Sequence, residues 1–145
     1  MTATDATRKS ALLLDTSAAV ALLVADHEFH AAVLHAVADR HLGLAGHAWF
    51  ETYSVITRMP PGKRRSPAQA LQLLDANFAS STFLGADAAA DLAAELGRRA
   101  IAGGKVWDAL VAAAARSVGL PLLTADIRAQ PTYEALGVEV ELVRG

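Results

Sequence analysis

Residues 11–17 read Ala-Leu-Leu-Leu-Asp-Thr-Ser, a short apolar run followed at once by an acid and two hydroxyl residues. The run predicts a buried strand, and the Asp-Thr-Ser that follows is typical of a helix start. Further short apolar runs lie at residues 41–45, 82–84, 120–123 and 138–143. Strands that alternate with helices predict an α/β fold. We therefore expect a three-layer α/β/α arrangement with a mainly parallel central sheet of four to five short strands.

Helical patterns fill the intervals between these strands. One helix is predicted from Asp87, as its cap, to Gly103-Gly104, and another from Ser66-Pro67 to near Phe78, with serine as N-cap and proline in the first turn. The remaining helices are predicted over residues 18–24, from Asp26 or His27 to about Arg40, and over 47–58, 106–118 and 131–136.

Length and composition predict one domain over residues 1–145, with about the first nine residues flexible. A chain of this length buries roughly 70% of the surface that its unfolded form exposes. Hydrophobic residues make up 53% of the sequence and charged residues 19%. Such a chain has a large core and an apolar part of its surface, which usually marks a partner.

The chain has no cysteine, so disulfides and thiolate metal sites are excluded. The five histidines show no metal-ligand spacing, and His27 and His30 are interpreted as the polar face of a helix. A formal net charge of −2 counts against a nucleic-acid binder unless acids hold cations. With no recognisable signal peptide and no apolar run of about 18 residues, we expect a cytoplasmic protein that does not enter the membrane.

Four acids fall where an α/β sheet places its ligands, at the carboxyl ends of the strands. Asp15 and Asp126 follow predicted strands, Glu51 lies early in a helix after a strand, and Asp108 lies near the start of an apolar helix. Each has a simpler explanation. Asp15 and Asp126 would cap helices or turns, Glu51 would be a solvated helix residue, and Asp108 would be favoured by the helix dipole.

Taken together, four carboxylates at one edge of the sheet would repel each other and raise each other's pKa values unless a cation were present. Oxygen-only ligation suits Mg²⁺ or Mn²⁺. Such a site is suited to phosphoryl chemistry, in which the metal polarises the phosphate and lowers the pKa of a water molecule.

The chain resembles PIN-domain ribonucleases and, among them, the VapC-type toxins of toxin–antitoxin pairs. The resemblance covers almost the whole chain, with its motifs in the family's order. The matching segments are Leu-Leu-Leu-Asp-Thr-Ser at 12–17, His-Ala-Trp-Phe-Glu-Thr at 47–52, Val-Trp-Asp-Ala-Leu at 106–110, Leu-Leu-Thr-Ala-Asp-Ile-Arg at 122–128 and Tyr-Glu-Ala-Leu-Gly-Val at 133–138.

The resemblance implies roles for these residues. Asp15, Glu51, Asp108 and Asp126 would be catalytic and would hold one or two Mg²⁺ or Mn²⁺ ions. Thr16 or Ser17, together with Thr124, would support the site by hydrogen bonds. A water activated by the metal would hydrolyse an RNA phosphodiester and leave a 5′-phosphate and a 3′-hydroxyl.

The resemblance also implies partners: a second copy of the chain in a homodimer, and a cognate VapB-type antitoxin. The antitoxin would wrap around the toxin and insert an arginine or a similar group into the acidic pocket. The apolar, alanine-rich helices of this chain are expected to suit that partner.

A basic stretch surrounds the proline-rich loop and consists of Arg58, Lys63, Arg64 and Arg65. Our hypothesis is that these residues contact RNA phosphates, and the alternative is a solvated surface loop. Trp49 and Trp107 neighbour proposed metal ligands and could stack on bases, but core packing is favoured for both.

Other interpretations fit less well. A haloacid-dehalogenase-type phosphatase needs a second acid two residues after the first, where this chain has Ser17. A response-regulator receiver domain needs an early acidic pair, which is absent. The alternative that stays open is a non-catalytic α/β protein-interaction module with a vestigial acidic site.

Overall fold

The computed structural model describes residues 10–144, and the predicted flexibility of residues 1–9 lies outside them. Its strands are β1 (Ala11–Leu14), β2 (His41–Leu44), β3 (Leu122–Thr124) and β4 (Val140–Leu142). They form one sheet in the order β2-β1-β3-β4, and every pairing is parallel.

Seven helices lie within the described part of the chain. They are α1 (Thr16–Leu23), α2 (His30–Val37), α3 (His47–Thr57), α4 (Pro67–Asn77), α5 (Ala86–Arg98), α6 (Lys105–Val118) and α7 (Gln130–Ala135). Among residues 10–144, no helix combines the length and the apolar character that crossing a bilayer requires.

Helices cover both faces of the sheet, as the sequence predicts. Successive side chains of a strand point to opposite faces, so Leu12 and Leu14 pack in the core beneath α1–α4, while Leu13 packs in the core beneath α5–α7. Leu12, Leu13 and Leu14 are all fully buried in these cores. The result is the predicted three-layer α/β/α fold.

Alanines of α1 and α6 contribute to the core, whereas Ala90, Ala93 and Ala94 of α5 are exposed, so the expectation that the alanine-rich helices suit a partner stays a prediction. Ala112 to Ala115 of α6 and Ala18 and Ala19 of α1 are all at most 2% exposed. Alanine side chains are small enough to let these helices lie close against the sheet and against each other.

The predicted strand at residues 82–84 does not form. Thr82 makes one isolated parallel bridge with Ala45, after which Leu84 leads to Gly85, the N-cap of α5. Pairing stops because Gly46 immediately precedes α3 on one side and Gly85 immediately precedes α5 on the other. The sheet therefore has four strands.

Two helices have bounds other than those predicted. Helix α2 begins at His30, because the His27 ring accepts a hydrogen bond from the Phe29 amide and the residues before His30 form turns. Helix α5 is capped by Gly85, with Asp87 in its first turn, and ends at Arg98. Ala100 and Gly103 then adopt positive φ angles, which end the helical path.

Candidate active site

The candidate site lies at the carboxyl edge of the sheet, where β1 and β3 end side by side. Asp15 follows β1 and donates its amide to the Leu123 carbonyl at 3.1 Å. Asp126 lies two residues beyond Thr124, the last residue of β3. The parallel register therefore brings two acids that are more than a hundred residues apart to one edge.

Asp15 is the buried centre of this site, with 3% of its surface exposed. One carboxylate oxygen accepts from the Ala18 amide at 3.0 Å and from the Ser17 hydroxyl at 2.7 Å. The other accepts from the Thr124 hydroxyl at 2.5 Å and the Tyr133 hydroxyl at 2.8 Å. Burial raises the pKa of Asp15, and these four donors oppose that effect.

Asp15 is also the N-cap of α1 through the Ala18 amide. Its capping role and its place at the base of the site are therefore compatible, although the sequence presents them as alternatives.

Glu51 projects from α3 and is contacted at both carboxylate oxygens. The Thr16 hydroxyl donates to Oε2 at 3.1 Å. His47, one turn earlier in α3, places Nε2 3.0 Å from Oε1. Glu51 is thus oriented by two neighbours rather than being a freely solvated helix residue.

Asp108 lies in the first turn of α6, and its half-buried carboxylate makes no hydrogen bond with the described residues. Burial, followed in size by the nearby charges of Asp126, Asp15 and Glu51, raises the pKa of Asp108 to about 6. The four acids therefore lie close enough to repel each other.

Asp126 lies at the outer edge of the site. Its carboxylate accepts from the Arg128 amide at 2.9 Å, and its own amide donates to the Thr124 hydroxyl at 3.0 Å. The Ala125 amide donates to Ser17 at 2.9 Å. The hydroxyls that hold Asp15 thus also position the loop that carries Asp126.

These side chains enclose a small cavity of about 80 Å³. Its lining comprises Asp15, Thr16, Ser17, Glu51, Trp107, Asp108, Val111, Asp126 and Tyr133. The structure therefore brings all four predicted acids and the supporting residues Thr16 and Ser17 to one cavity, with Thr124 bonded to Asp15 behind it.

The donor set of this cavity matches a hard divalent cation in chemistry and charge. Its charged groups are carboxylates, and their mutual repulsion, visible in the raised pKa of Asp108, is relieved by positive charge. Within residues 10–144, no three histidine, aspartate or glutamate side chains are arranged to hold one ion together. Mg²⁺ commonly keeps several waters and uses one or two carboxylates, so these residues suit that mode of binding.

The predicted basic residues lie elsewhere, beyond the far end of α3. Arg58 is about 10 Å along the helix axis from Glu51. The Lys63 ammonium group forms an ion pair with Asp26 at 2.5 Å, and the Arg64 side chain donates to the Met59 carbonyl at 2.9 Å. Arg65 borders a separate cleft of about 290 Å³, and the loop does not reach the acidic cavity.

Sequence reasoning missed Tyr133 and His47 as site residues. Tyr133 is 2% exposed and donates to Asp15, and His47 contacts Glu51. A buried tyrosine needs a partner for its hydroxyl, which is the clue that Tyr133 offered. His47 offered a helical spacing of four residues from Glu51.

Comparison with known proteins gives the family. A model of the PIN domain matches residues 12–134. Ribonuclease VapC27 of Mycobacterium tuberculosis is 46% identical over 132 residues, which cover 91% of this chain and 96% of the relative. Ribonuclease VapC40 of the same species is 44% identical over 131 residues, covering 89% of this chain and 96% of the relative.

Two solved structures share the fold. The sarcin-ricin loop cleaving toxin VapC20 of Mycobacterium tuberculosis matches with a TM-score of 0.65 at 21% identity, covering 88% of this chain and 95% of that one. VapBC2 of Rickettsia felis, bound to a DNA fragment from its promoter, matches with a TM-score of 0.65 at 15% identity, covering 92% and 99%. This chain therefore belongs to the PIN-domain family, and within it to the VapC-type proteins.

Proposed function

We propose that this protein is a metal-dependent endoribonuclease that acts as a growth-inhibiting toxin and is inhibited by a cognate antitoxin. The observation that carries the proposal is the convergence of Asp15, Glu51, Asp108 and Asp126 on one cavity at the carboxyl edge of the sheet. The ribonucleases VapC27 and VapC40, which are 46% and 44% identical, support the same activity.

The four acids would hold one or two Mg²⁺ or Mn²⁺ ions, each through one or two carboxylates and water molecules. The bound metal would polarise the phosphodiester and supply an activated water for its hydrolysis. Asp15 is held in one orientation by its four donors, so its position does not depend on the substrate. Thr16 and His47 orient Glu51 in the same way. Preorganised ligands of this kind need no rearrangement when charge develops on the phosphate.

Asp108 and Asp126 form the less constrained side of the cavity. Asp108 has no hydrogen-bond partner in the described chain, and the Asp126 side chain is 38% exposed. We assign this side to the approach of the RNA strand. Outside the cavity, RNA phosphates would be contacted by the basic residues Arg58, Lys63, Arg64 and Arg65.

We also propose a VapB-type antitoxin and a second copy of the chain as protein partners. Solved neighbours with the same fold include VapBC2 of Rickettsia felis, an assembly of that name. An uncompensated acidic cavity attracts a basic side chain, and the apolar cleft near Leu23, Ile56 and Leu73 gives a partner helix an apolar place to pack. Sedimentation of the purified chain, alone and co-expressed with its neighbouring gene product, tests both partners.

The test of the activity compares the wild type with Asp108→Asn and with Asp75→Asn, an exposed acid on α4 that serves as the matched control. Growth is scored in a bacterial host, and purified proteins are assayed on RNA with Mg²⁺, with Mn²⁺ and with EDTA. We expect growth arrest and new 5′-phosphate ends for the wild type and the control. Asp108→Asn should lose roughly 100-fold or more in rate, because the metal that stabilises the charge developing on the phosphate loses a carboxylate ligand.

The alternative function, a non-catalytic interaction module, predicts a different pattern. Wild type and Asp108→Asn would then have the same effect on growth, and purified wild type would leave RNA intact with either metal. That combination of results would overturn the nuclease proposal.

A further inference from the structure

Trp107 lies at the mouth of the acidic cavity with 52% of its surface exposed. The expectation of core packing is therefore wrong for this residue. An indole has a large apolar face that proteins usually bury. Here that face is in contact with water, next to a polar cavity. The indole face is therefore accessible to a flat ligand that enters the cavity.

The indole is held in place by His47. The two rings stack with centroids 5.1 Å apart and an interplanar angle of 18°. His47 is in turn positioned by Glu51, 3.0 Å from its Nε2 atom. The exposed ring is therefore supported from behind by a residue that touches the acidic site.

Trp49 provides the contrast within the same chain. It is half-buried, stacks on Tyr53 at 5.6 Å with an interplanar angle of 10°, and contacts the rings of Phe50 and Phe83. Trp49 does not line the acidic cavity. Of the two tryptophans in the sequence, only Trp107 combines exposure with a place at the site.

We propose that Trp107, supported by His47, is the platform on which a nucleobase next to the scissile phosphate stacks. This inference rests on the proposed function, since it concerns the substrate of the same site. Single-stranded RNA is commonly recognised by unstacked bases that lie on aromatic side chains. Every base has a flat face, so such a platform positions the strand with little dependence on sequence.

The first experiment separates stacking from bulk at one position. Trp107→Phe keeps an aromatic face, Trp107→Leu keeps an apolar side chain without one, and Trp107→Ala removes both. Leu34→Ala is the control, since Leu34 is 53% exposed on α2 and outside the cavity. We expect the leucine and alanine variants to raise KM roughly 5- to 100-fold with little change in kcat, and phenylalanine to restore most of the affinity.

A second experiment combines a change in the protein with a change in the RNA, as a double-mutant cycle. Each nucleotide flanking the cleavage site is replaced in turn by an abasic one. At one position the abasic change should weaken binding to the wild type and have almost no effect on Trp107→Ala. Equal penalties in both proteins at every position, or full activity of Trp107→Leu, would overturn the platform.

Fluorescence keeps this inference separate from the nuclease activity. In Trp49→Phe, Trp107 is the only tryptophan, and its emission is followed while a short single-stranded RNA is added with Ca²⁺ in place of Mg²⁺. We expect quenching that saturates, with the RNA intact on a gel. Quenching without any cleavage under Mg²⁺ or Mn²⁺ would support the platform and overturn the nuclease. Cleavage without quenching, or neither, would overturn the platform.

Discussion

Asp15 illustrates how one residue serves folding and the site together. Its carboxylate caps α1 and accepts hydroxyl bonds from Ser17, Thr124 and Tyr133. A buried carboxylate is costly unless hydrogen-bonded, and these donors offset that cost. The bonds also tie α1, β3 and α7 to one side chain, so a change at Asp15 affects the fold as well as the chemistry.

Unlike Asp15, the Asp108 carboxylate has no hydrogen-bond donor among residues 10–144 to offset its burial, and the first prediction concerns this residue. Its folded pKa is about 6 against an ordinary 3.8, so in metal-free buffer the folded chain binds the proton more tightly than the unfolded chain. The free energy of unfolding contributed by this group therefore falls as the pH rises between these values. Asp108→Asn should unfold at a higher temperature than the wild type at pH 7 in EDTA.

The control for this prediction is Asp75→Asn, which should match the wild type throughout. Thermal unfolding at pH 4 and pH 7 measures the effect, and the advantage of Asp108→Asn should shrink at the lower pH. An Asp108→Asn protein that is less stable than the wild type at pH 7 would contradict the assignment of Asp108 as a repelled carboxylate.

At the scale of elements, an ionic cluster joins α5 to α6. The buried Glu95 carboxylate accepts from Arg116 at 3.0 and 3.1 Å and from Arg99 at 3.0 Å. Arg116 also donates to the Leu136 carbonyl after α7, at 3.3 Å. The three helices on this face of the sheet are therefore held together by polar contacts as well as by the core.

Glu95→Gln is the second prediction. The arginines lower the pKa of Glu95 to about 2, so its contribution to stability is present above its ordinary pKa of 4.5 and is lost as the pH falls towards 2. At pH 7 the variant should lose about 2 kcal/mol of unfolding free energy, since hydrogen bonds to charged groups are removed. Urea unfolding measures this loss.

Glu139→Gln is the matched control, because Glu139 is an exposed glutamate near β4. The difference between Glu95→Gln and the wild type should narrow from pH 7 to pH 3. A difference that stays constant over this range would mean that the ionised form of Glu95 does not stabilise the protein.

The basic loop between α3 and α4 carries the third prediction. If it contacts RNA, neutralising Arg64 and Arg65 to glutamine should reduce the slope of log affinity against log salt by about 0.7 for each phosphate that these arginines pair with. Binding of single-stranded RNA at several salt concentrations gives the slope. Arg98→Gln with Lys105→Gln, which changes a separate basic cleft, shows whether removing any two positive charges has the same effect. An unchanged slope in the loop variant would exclude the loop from RNA binding.

At the scale of the whole molecule, the four acids come from residues 15, 51, 108 and 126 and meet only in the folded chain. A cation that binds this cluster stabilises the folded state alone. The fourth prediction is that Mg²⁺ raises the unfolding temperature, with about 1.4 kcal/mol gained for each tenfold rise in concentration above the dissociation constant. Differential scanning calorimetry across a Mg²⁺ series measures it.

Mg²⁺ should raise the unfolding temperature of Asp108→Asn less than that of the wild type. It should raise the unfolding temperature of Asp75→Asn by the same amount as that of the wild type. Equal increases in the unfolding temperature of all three proteins would mean that Mg²⁺ binds outside the cavity.

Much of this architecture could be predicted from local pattern. The strand at Ala11–Leu14 and the helix start at Ser66-Pro67 follow from periodicity and capping rules. The positions of the four acids after strands or near the starts of helices follow from the strand-end rule. The predicted strand at 82–84 failed because local apolarity does not reveal how much partner strand is available. The predicted start of α2 is wrong because the Phe29 amide donates its hydrogen bond to the His27 ring.

The sequence by itself determined the order of elements, the α/β class and which acids stand at the ends of strands, because these depend on neighbours along the chain. Only the tertiary structure decided that Tyr133 donates to Asp15, that His47 contacts Glu51, that Trp107 is exposed while Trp49 packs, and that the basic loop lies away from the cavity. The physical reason is that burial, ring stacking and pKa shifts depend on side chains that are distant in sequence and are brought together by the packing of helices on the sheet.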